Sequence, residues 1–157
     1  MEFFPVDPTA ATSFAQRFES GVHEGTDIFA PADTAVFAVT DGTARNGTDP
    51  KGGNVVYLQG KDGRTYYYAH LSHFAYPDGP RPVAGGELIG YVGTTGNAAD
   101  RPPHLHFGIY VDGSPTDPYP ELMAVAPERM LAARSSASSS PWLLGLFVLA
   151  LLVMRKN

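Results

Sequence analysis

Residues 34–40, 42–46, 54–59 and 64–70 are runs of apolar, β-branched and aromatic positions broken by polar ones, at the two-residue period of a strand. They are separated by Asp41-Gly42, Asn46-Gly47, Lys51-Gly52-Gly53 and Asp62-Gly63. Asp-Gly and Asn-Gly supply the backbone conformation that a tight hairpin needs, so the series predicts consecutive antiparallel hairpins. In the first run Ala35, Phe37 and Val39 alternate with Val36 and Ala38, leaving both faces apolar, as for a strand inside a sandwich. Residues 83–93 read as a turn leading into another strand, and Pro103-His104-Leu105-His106-Phe107-Gly108-Ile109-Tyr110 as a further one. The expected fold class is all-β, an antiparallel sheet forming a sandwich or barrel-like core.

The flanks have a different character. Residues 1–17 show no clear period and read as a lead-in, a loop or short irregular cover, ahead of a strand-rich body over 18–122. Residues 121–134 have the composition of a short helix broken or restarted near Pro127, and a Ser/Ala-rich linker closes the 123–140 stretch. Trp142 to Met154 then gives 13 uncharged apolar or small residues, followed by Arg155 and Lys156. As a helix that run is about 20 Å long, and about 30 Å if it is extended back to Ser135, against a hydrocarbon core of about 30 Å. The expectation for 141–157 is a C-terminal apolar helix serving as a membrane anchor, in preference to a buried or oligomerising helix. With the basic pair in the cytoplasm, the β domain would lie outside. Met1 to Pro5 shows no basic n-region and no long apolar core, so no secretory signal is visible there. Either the start lies upstream or export uses another route.

Composition narrows the chemistry. The 157 residues contain no cysteine, which removes disulfides and thiolate metal sites, so any metal must use His and carboxylate. A net charge of −5 with scattered Lys and Arg argues against nucleic acid as a partner. The 17 Gly and 14 Pro among many Tyr, Val and Thr fit short strands with frequent turns.

Within that frame the histidines stand out. In an extended strand His104 and His106 share a face, about 7 Å apart, while Leu105 and Phe107 point to a core. Alone, such a pair is more often a surface feature than a site. His23 and Asp27, four apart, can meet on one ion only if the chain bends, which Gly25 allows; otherwise they decorate a solvated turn. Tyr66, Tyr68 and His70 fall on one face by alternation, and His73 reads as a surface residue. Together, His and Asp supply the donors a catalytic zinc prefers, three from protein with a fourth position for water. Gly93-Thr94-Thr95-Gly96 is a tight turn with no helix pattern or Lys after it, so it does not read as a phosphate loop.

His23-Glu24-Gly25-Thr26-Asp27, Tyr68-Ala69-His70-Leu71, Gly93-Thr94-Thr95-Gly96 and His104-Leu105-His106-Phe107 occur in the order and approximate spacing of the lysostaphin-type, or LytM-domain, zinc endopeptidases. The resemblance covers about two thirds of the chain, and Gly113 to Pro118 is similar to the closing segment of that family. It implies one Zn2+ per domain held by His23, Asp27 and His106, with His70 and His104 as acid/base or intermediate-stabilising residues. It also implies a substrate in the peptide part of bacterial peptidoglycan, either stem peptides or cross-bridges. The rival within the resemblance is an inactive LytM-like regulator that binds and activates a cell-wall amidase. Such regulators typically lack some of the ligands, whereas all three are present here.

Overall fold

All strand pairing is antiparallel, and one long strand distributes it. In chain order the strands are β1 (Ser13–Phe14), β2 (Thr26–Phe29), β3 (Ala35–Phe37), β4 (Gly42–Asp49), β5 (Gly53–Gly60), β6 (Thr65–Phe74), β7 (Arg81–Val83), β8 (Leu88–Val92), β9 (His104–Val111) and β10 (Ser114–Thr116). The computed structural model describes residues 1–14, 17–128 and 130. Strand β6 has β5 along one edge and two partners along the other: β9 pairs with Thr65 to Ala69, and β8 pairs with Leu71 and Phe74. The fork falls at His70, a non-glycine residue with φ of 65°, where an extra residue breaks the ladder with β5. The sheet therefore runs β1-β2-β9-β6-β5-β4-β7, with β8 and β3 branching from β6 and β10 paired to β9. The expected sandwich or barrel-like core takes the form of one forked sheet.

Two of the expected hairpins are not formed where the dipeptides stand. Asn46-Gly47 lies inside β4, paired with Val56 and Val55, and the buried Asn46 amide donates to the carbonyl of Tyr76 at 3.0 Å. The reversal comes later because Asp49 accepts the N–H groups of Lys51 and Gly52 at 2.9 and 2.5 Å, while Gly53 takes a left-handed φ of 67°. Asp41-Gly42 joins strands that do not pair: β3 pairs with β8, and Asp41 instead receives the Gly85 N–H and the Lys61 ammonium. The Asp62-Gly63 hairpin between β5 and β6 forms as expected.

The core lies on the face of β6 and β9 opposite the histidines. Phe107 sits between Tyr66 and Tyr68, with ring centroids at 6.2 and 5.3 Å, and all three are fully buried together with Leu105, Ile109 and Ile28. The lead-in joins this core. Phe4, Val6, Ala11 and Phe14 are buried, Val6 bridges to Val36, and Phe14 pairs with Ile28. Helix α1 (Tyr119–Val125) carries Pro at its start and buries Leu122, and it stops at Ala126, whose extended conformation is the one favoured before proline. Met1–Pro127 forms one unit, and almost all of a second, Glu128–Asn157, lies outside the described residues. The expected apolar helix over 141–157 falls there too. Among the described residues no helix is long and apolar enough to cross a membrane.

Candidate functional site

Antiparallel register brings the first two ligand candidates together: Asp27 on β2 stands directly opposite His106 on β9. Their side chains meet, with His106 Nδ1 at 2.9 Å from Asp27 Oδ1. His23 comes from the preceding turn, pinned by a bridge to Glu19, and places Nε2 at 3.1 Å from the same oxygen. Gly25 makes this possible by close approach and not by an unusual φ. A Cβ there would lie 2.6 Å from His106 Nε2 and from the Phe107 carbonyl oxygen.

The second pair is held by backbone carbonyls. His70 Nδ1 is 2.9 Å from the Thr95 oxygen, and His104 Nδ1 is 2.9 Å from the Pro102 oxygen. A carbonyl only accepts, so in each ring Nδ1 carries the proton and Nε2 is left as the free lone pair. The rings of His70 and His104 are 4.9 Å apart, and His104 Nε2 is 3.9 Å from Asp27 Oδ1. His23 Nδ1 likewise meets the Arg17 carbonyl at 3.1 Å, which orients the ring so that Nε2 faces Asp27. All five residues open onto one groove of about 770 Å³. His73 is not among them; it is exposed and stacks on Tyr91.

Electrostatics follow from this crowding. Burial works to raise the Asp27 carboxyl, but the hydrogen bond from His106 and the charges of His106, His104 and His23 outweigh it and hold Asp27 well below the usual carboxylate range. Burial lowers His70 below the ordinary imidazole value. His104 and His106 add to that, and the Thr95 hydrogen bond and Asp27 only partly oppose it. His70 is therefore neutral at pH 7, with an accepting Nε2.

Alternation alone puts His70 on the face of Tyr66 and Tyr68, and the bulge overturns this. Tyr66 and Tyr68 are buried in the core, whereas His70 joins Tyr67 and Ala69 on the groove. Tyr67, which no motif in the sequence marks, faces the site: its ring is 6.2 Å from that of His106 and its hydroxyl donates to Asp49 at 2.7 Å. Alternation alone gives no signal for it, since it places Tyr67 on the face away from His70, and only the bulge brings the two to one side. The Gly93 to Gly96 turn also has a use here, since Thr95 braces His70 through its carbonyl and Asn54 N–H through its hydroxyl.

His23, Asp27 and His106 could hold a metal, their donor atoms all lying within 4.8 Å of one another. Neighbouring ligands of a tetrahedral zinc at about 2.0 to 2.1 Å stand about 3.3 Å apart. The 2.9 and 3.1 Å separations around Asp27 Oδ1 are close to that, and two imidazoles with a carboxylate are a donor set zinc accepts. Fold and site together define a β-sheet protein with a metallopeptidase-like constellation. The chain belongs to peptidase family M23, whose pattern matches residues 21–118. Among curated relatives, it is 40% identical over 98 residues to the DD-carboxypeptidase/endopeptidase Mpg of Neisseria meningitidis serogroup B, covering 62% of this chain and 22% of that protein. It is 37% identical over 119 residues to the L-Ala-D-Glu endopeptidase of Bacillus subtilis, covering 66% and 35%. The chain thus spans between about a fifth and about a third of these relatives. Among solved structures, the catalytic domain of lysostaphin from Staphylococcus simulans aligns with a TM-score of 0.59 at 30% identity, over 73% of this chain and 89% of that one. A zinc-containing peptidase from Vibrio cholerae aligns with a TM-score of 0.61 at 26% identity, over 73% and 38%.

Proposed function

We propose that this chain is a zinc-dependent endopeptidase that hydrolyses peptide bonds of bacterial peptidoglycan. The observation that carries the reading is the convergence of His23 Nε2 and His106 Nδ1 on Asp27 Oδ1, beside two further imidazoles whose Nδ1 protons are already committed to carbonyls. In this reading His23, Asp27 and His106 hold the ion, and His70 and His104 are the catalytic residues. What zinc supplies when bound is Lewis acidity, for the scissile carbonyl and for an attacking water. The chain's own part is proton traffic. Neutral His70 accepts at Nε2 the proton released as water adds to the carbonyl. His70 then passes that proton to the leaving amine nitrogen, and His104, whose Nε2 lies 3.9 Å from Asp27 Oδ1, stands beside it at the reacting carbonyl. No Glu is placed as in a His-Glu-x-x-His site, so a carboxylate base is not part of this scheme.

Peptidoglycan is the substrate class supported by membership of family M23 and by the name of a further relative, a peptidoglycan DD-endopeptidase of Vibrio cholerae that is 34% identical over 97 residues, 61% of this chain and 22% of that protein. The place this implies is the bacterial cell envelope, with the β domain outside the cytoplasmic membrane and held near it by segment 141–157. The rival reading, an inactive activator of an amidase, has the complete donor set against it.

The test is digestion of purified cell wall with the wild type and with His104→Ala, the products read by mass spectrometry. New amine termini with the wild type only, and an unchanged zinc content in the variant, are expected. Loss of zinc from His104→Ala with retention in His106→Ala would exchange the roles of the pair. Absence of new termini in the zinc-loaded wild type would leave the regulator reading in its place.

A further inference from the structure

The groove carries two cations with no partner side chain among the described residues. Lys51 and Arg101 both line it, both are exposed, and among the described residues neither forms an ion pair. Elsewhere the pattern is different: Lys61 is paired with Asp41, Arg64 with Asp62 and Glu121, and Arg81 with Glu87, while Arg45 lies over the Tyr57 ring. Arg17 also lacks an ion pair among the described residues, but it does not line the groove.

The groove's own carboxylates are engaged by other donors. Asp27 is met by His23 and His106, Asp49 takes the N–H groups of Lys51 and Gly52 and the Tyr67 hydroxyl, and Glu24 takes the Gly21 N–H. The backbones of the two residues are anchored beside the segments that hold His70 and His104. The Lys51 carbonyl accepts the Asn97 N–H at 2.9 Å, and the next carbonyl, that of Gly52, accepts the His70 N–H at 2.7 Å. Arg101 N–H donates to Ala98, and the next carbonyl, that of Pro102, holds His104 Nδ1. Lys51 thus precedes the residue whose carbonyl takes the His70 backbone N–H, and Arg101 precedes the one whose carbonyl takes the His104 ring N–H.

We propose that Lys51 and Arg101 form a carboxylate-binding subsite on the His70/His104 side of the centre. The substrate class it selects is a peptide with a free carboxylate close to the scissile bond, as in a stem peptide, in preference to an uncharged glycine bridge. This rests on the peptidase reading and deepens it. Charge-assisted contacts at an exposed groove are screened by water and salt, so the expected discrimination is about tenfold.

The test uses three probes: a soluble stem pentapeptide with free carboxylates, the same peptide with them amidated, and pentaglycine blocked as an acetyl amide so that it is uncharged. For the zinc-loaded wild type kcat/KM is measured. For zinc-loaded His104→Ala, with turnover removed, Kd is measured by calorimetry. Expected is about a tenfold preference for the acid over the amide in both, shrinking in about 0.5 M salt. The preference should approach unity in the Lys51→Gln/Arg101→Gln double variant, whose zinc content reports that it has folded. Equal Kd for acid and amide, or a preference that survives the double substitution, would overturn the subsite. Cleavage of acid and amide at equal kcat/KM removes the subsite and leaves the peptidase reading. Selective binding of the acid without cleavage of any probe does the reverse.

Discussion

At the scale of single residues, the site depends on one oxygen and one missing side chain. Asp27 Oδ1 is the atom on which both imidazoles converge, so Asp27→Ala should bind far less zinc than the wild type by metal analysis of the purified proteins. Equal zinc in the two would refute the ligand assignment. Gly25→Ala is a finer probe, because the new Cβ would press on the His106 ring while every donor is retained. Zinc affinity should fall about tenfold or more in a competition titration, as when a group orienting a ligand is disturbed. His70 makes the complementary point. Its left-handed φ is an uncommon conformation for a residue with a side chain, held by the bond from its N–H to Gly52 and the bond from its ring to Thr95.

At the scale of elements, the β4–β5 turn is the piece whose energetics are most exposed to test. Burial opposes ionisation of Asp49, but the Gly52 N–H, the Tyr67 hydroxyl and the Lys51 N–H outweigh it, with the His70 charge adding to them, and the carboxyl is held below its ordinary value. A depressed native value means that the folded state binds fewer protons than the unfolded chain. The stabilisation is therefore present above the unfolded carboxyl value of about 3.9 and is lost as pH falls through the native one. Urea midpoints of wild type and Asp49→Asn should differ most above about pH 4.5 and converge in stronger acid. A gap that does not change with pH would show that the turn is held by something other than this charge. Much of this element was legible in the sequence, since Lys51-Gly52-Gly53 marked a turn. Its starting point was not, because Asn46-Gly47 has the same local chemistry and is overruled only by pairing with β5 and the bond to Tyr76.

At the scale of the whole molecule, the groove stands on a layer of rings. Phe107 lies between His106 and Gly108 on β9 and packs between Tyr66 and Tyr68. Phe107→Ala should cost about 3–5 kcal/mol in denaturant unfolding. A loss below about 1 kcal/mol would mean that the layer is not the support for the site. The proposed location is tested on the full chain, which should fractionate with membranes and become soluble when cut after Arg134. A soluble full-length protein would refute the anchor.

The sequence by itself determined the β class, the Asp62-Gly63 hairpin, the opposite facing of His104/His106 and Leu105/Phe107, and the short motifs that carry His23, Asp27, His70 and the β9 pair. These follow from the two-residue period of a strand and from turn chemistry, which are local properties of the chain. Tertiary structure decided which face His70 takes, which of three consecutive tyrosines lines the groove, and why residue 25 must lack a side chain. It also brought Lys51 and Arg101, fifty residues apart, into one groove. The physical reason is common to all of these. A bulge, a register and the apposition of two loops are set by hydrogen bonds between distant segments, such as His70 to Gly52 and Thr95 or Asn97 to Lys51. No run of neighbouring residues encodes such bonds until the sheet has closed around them.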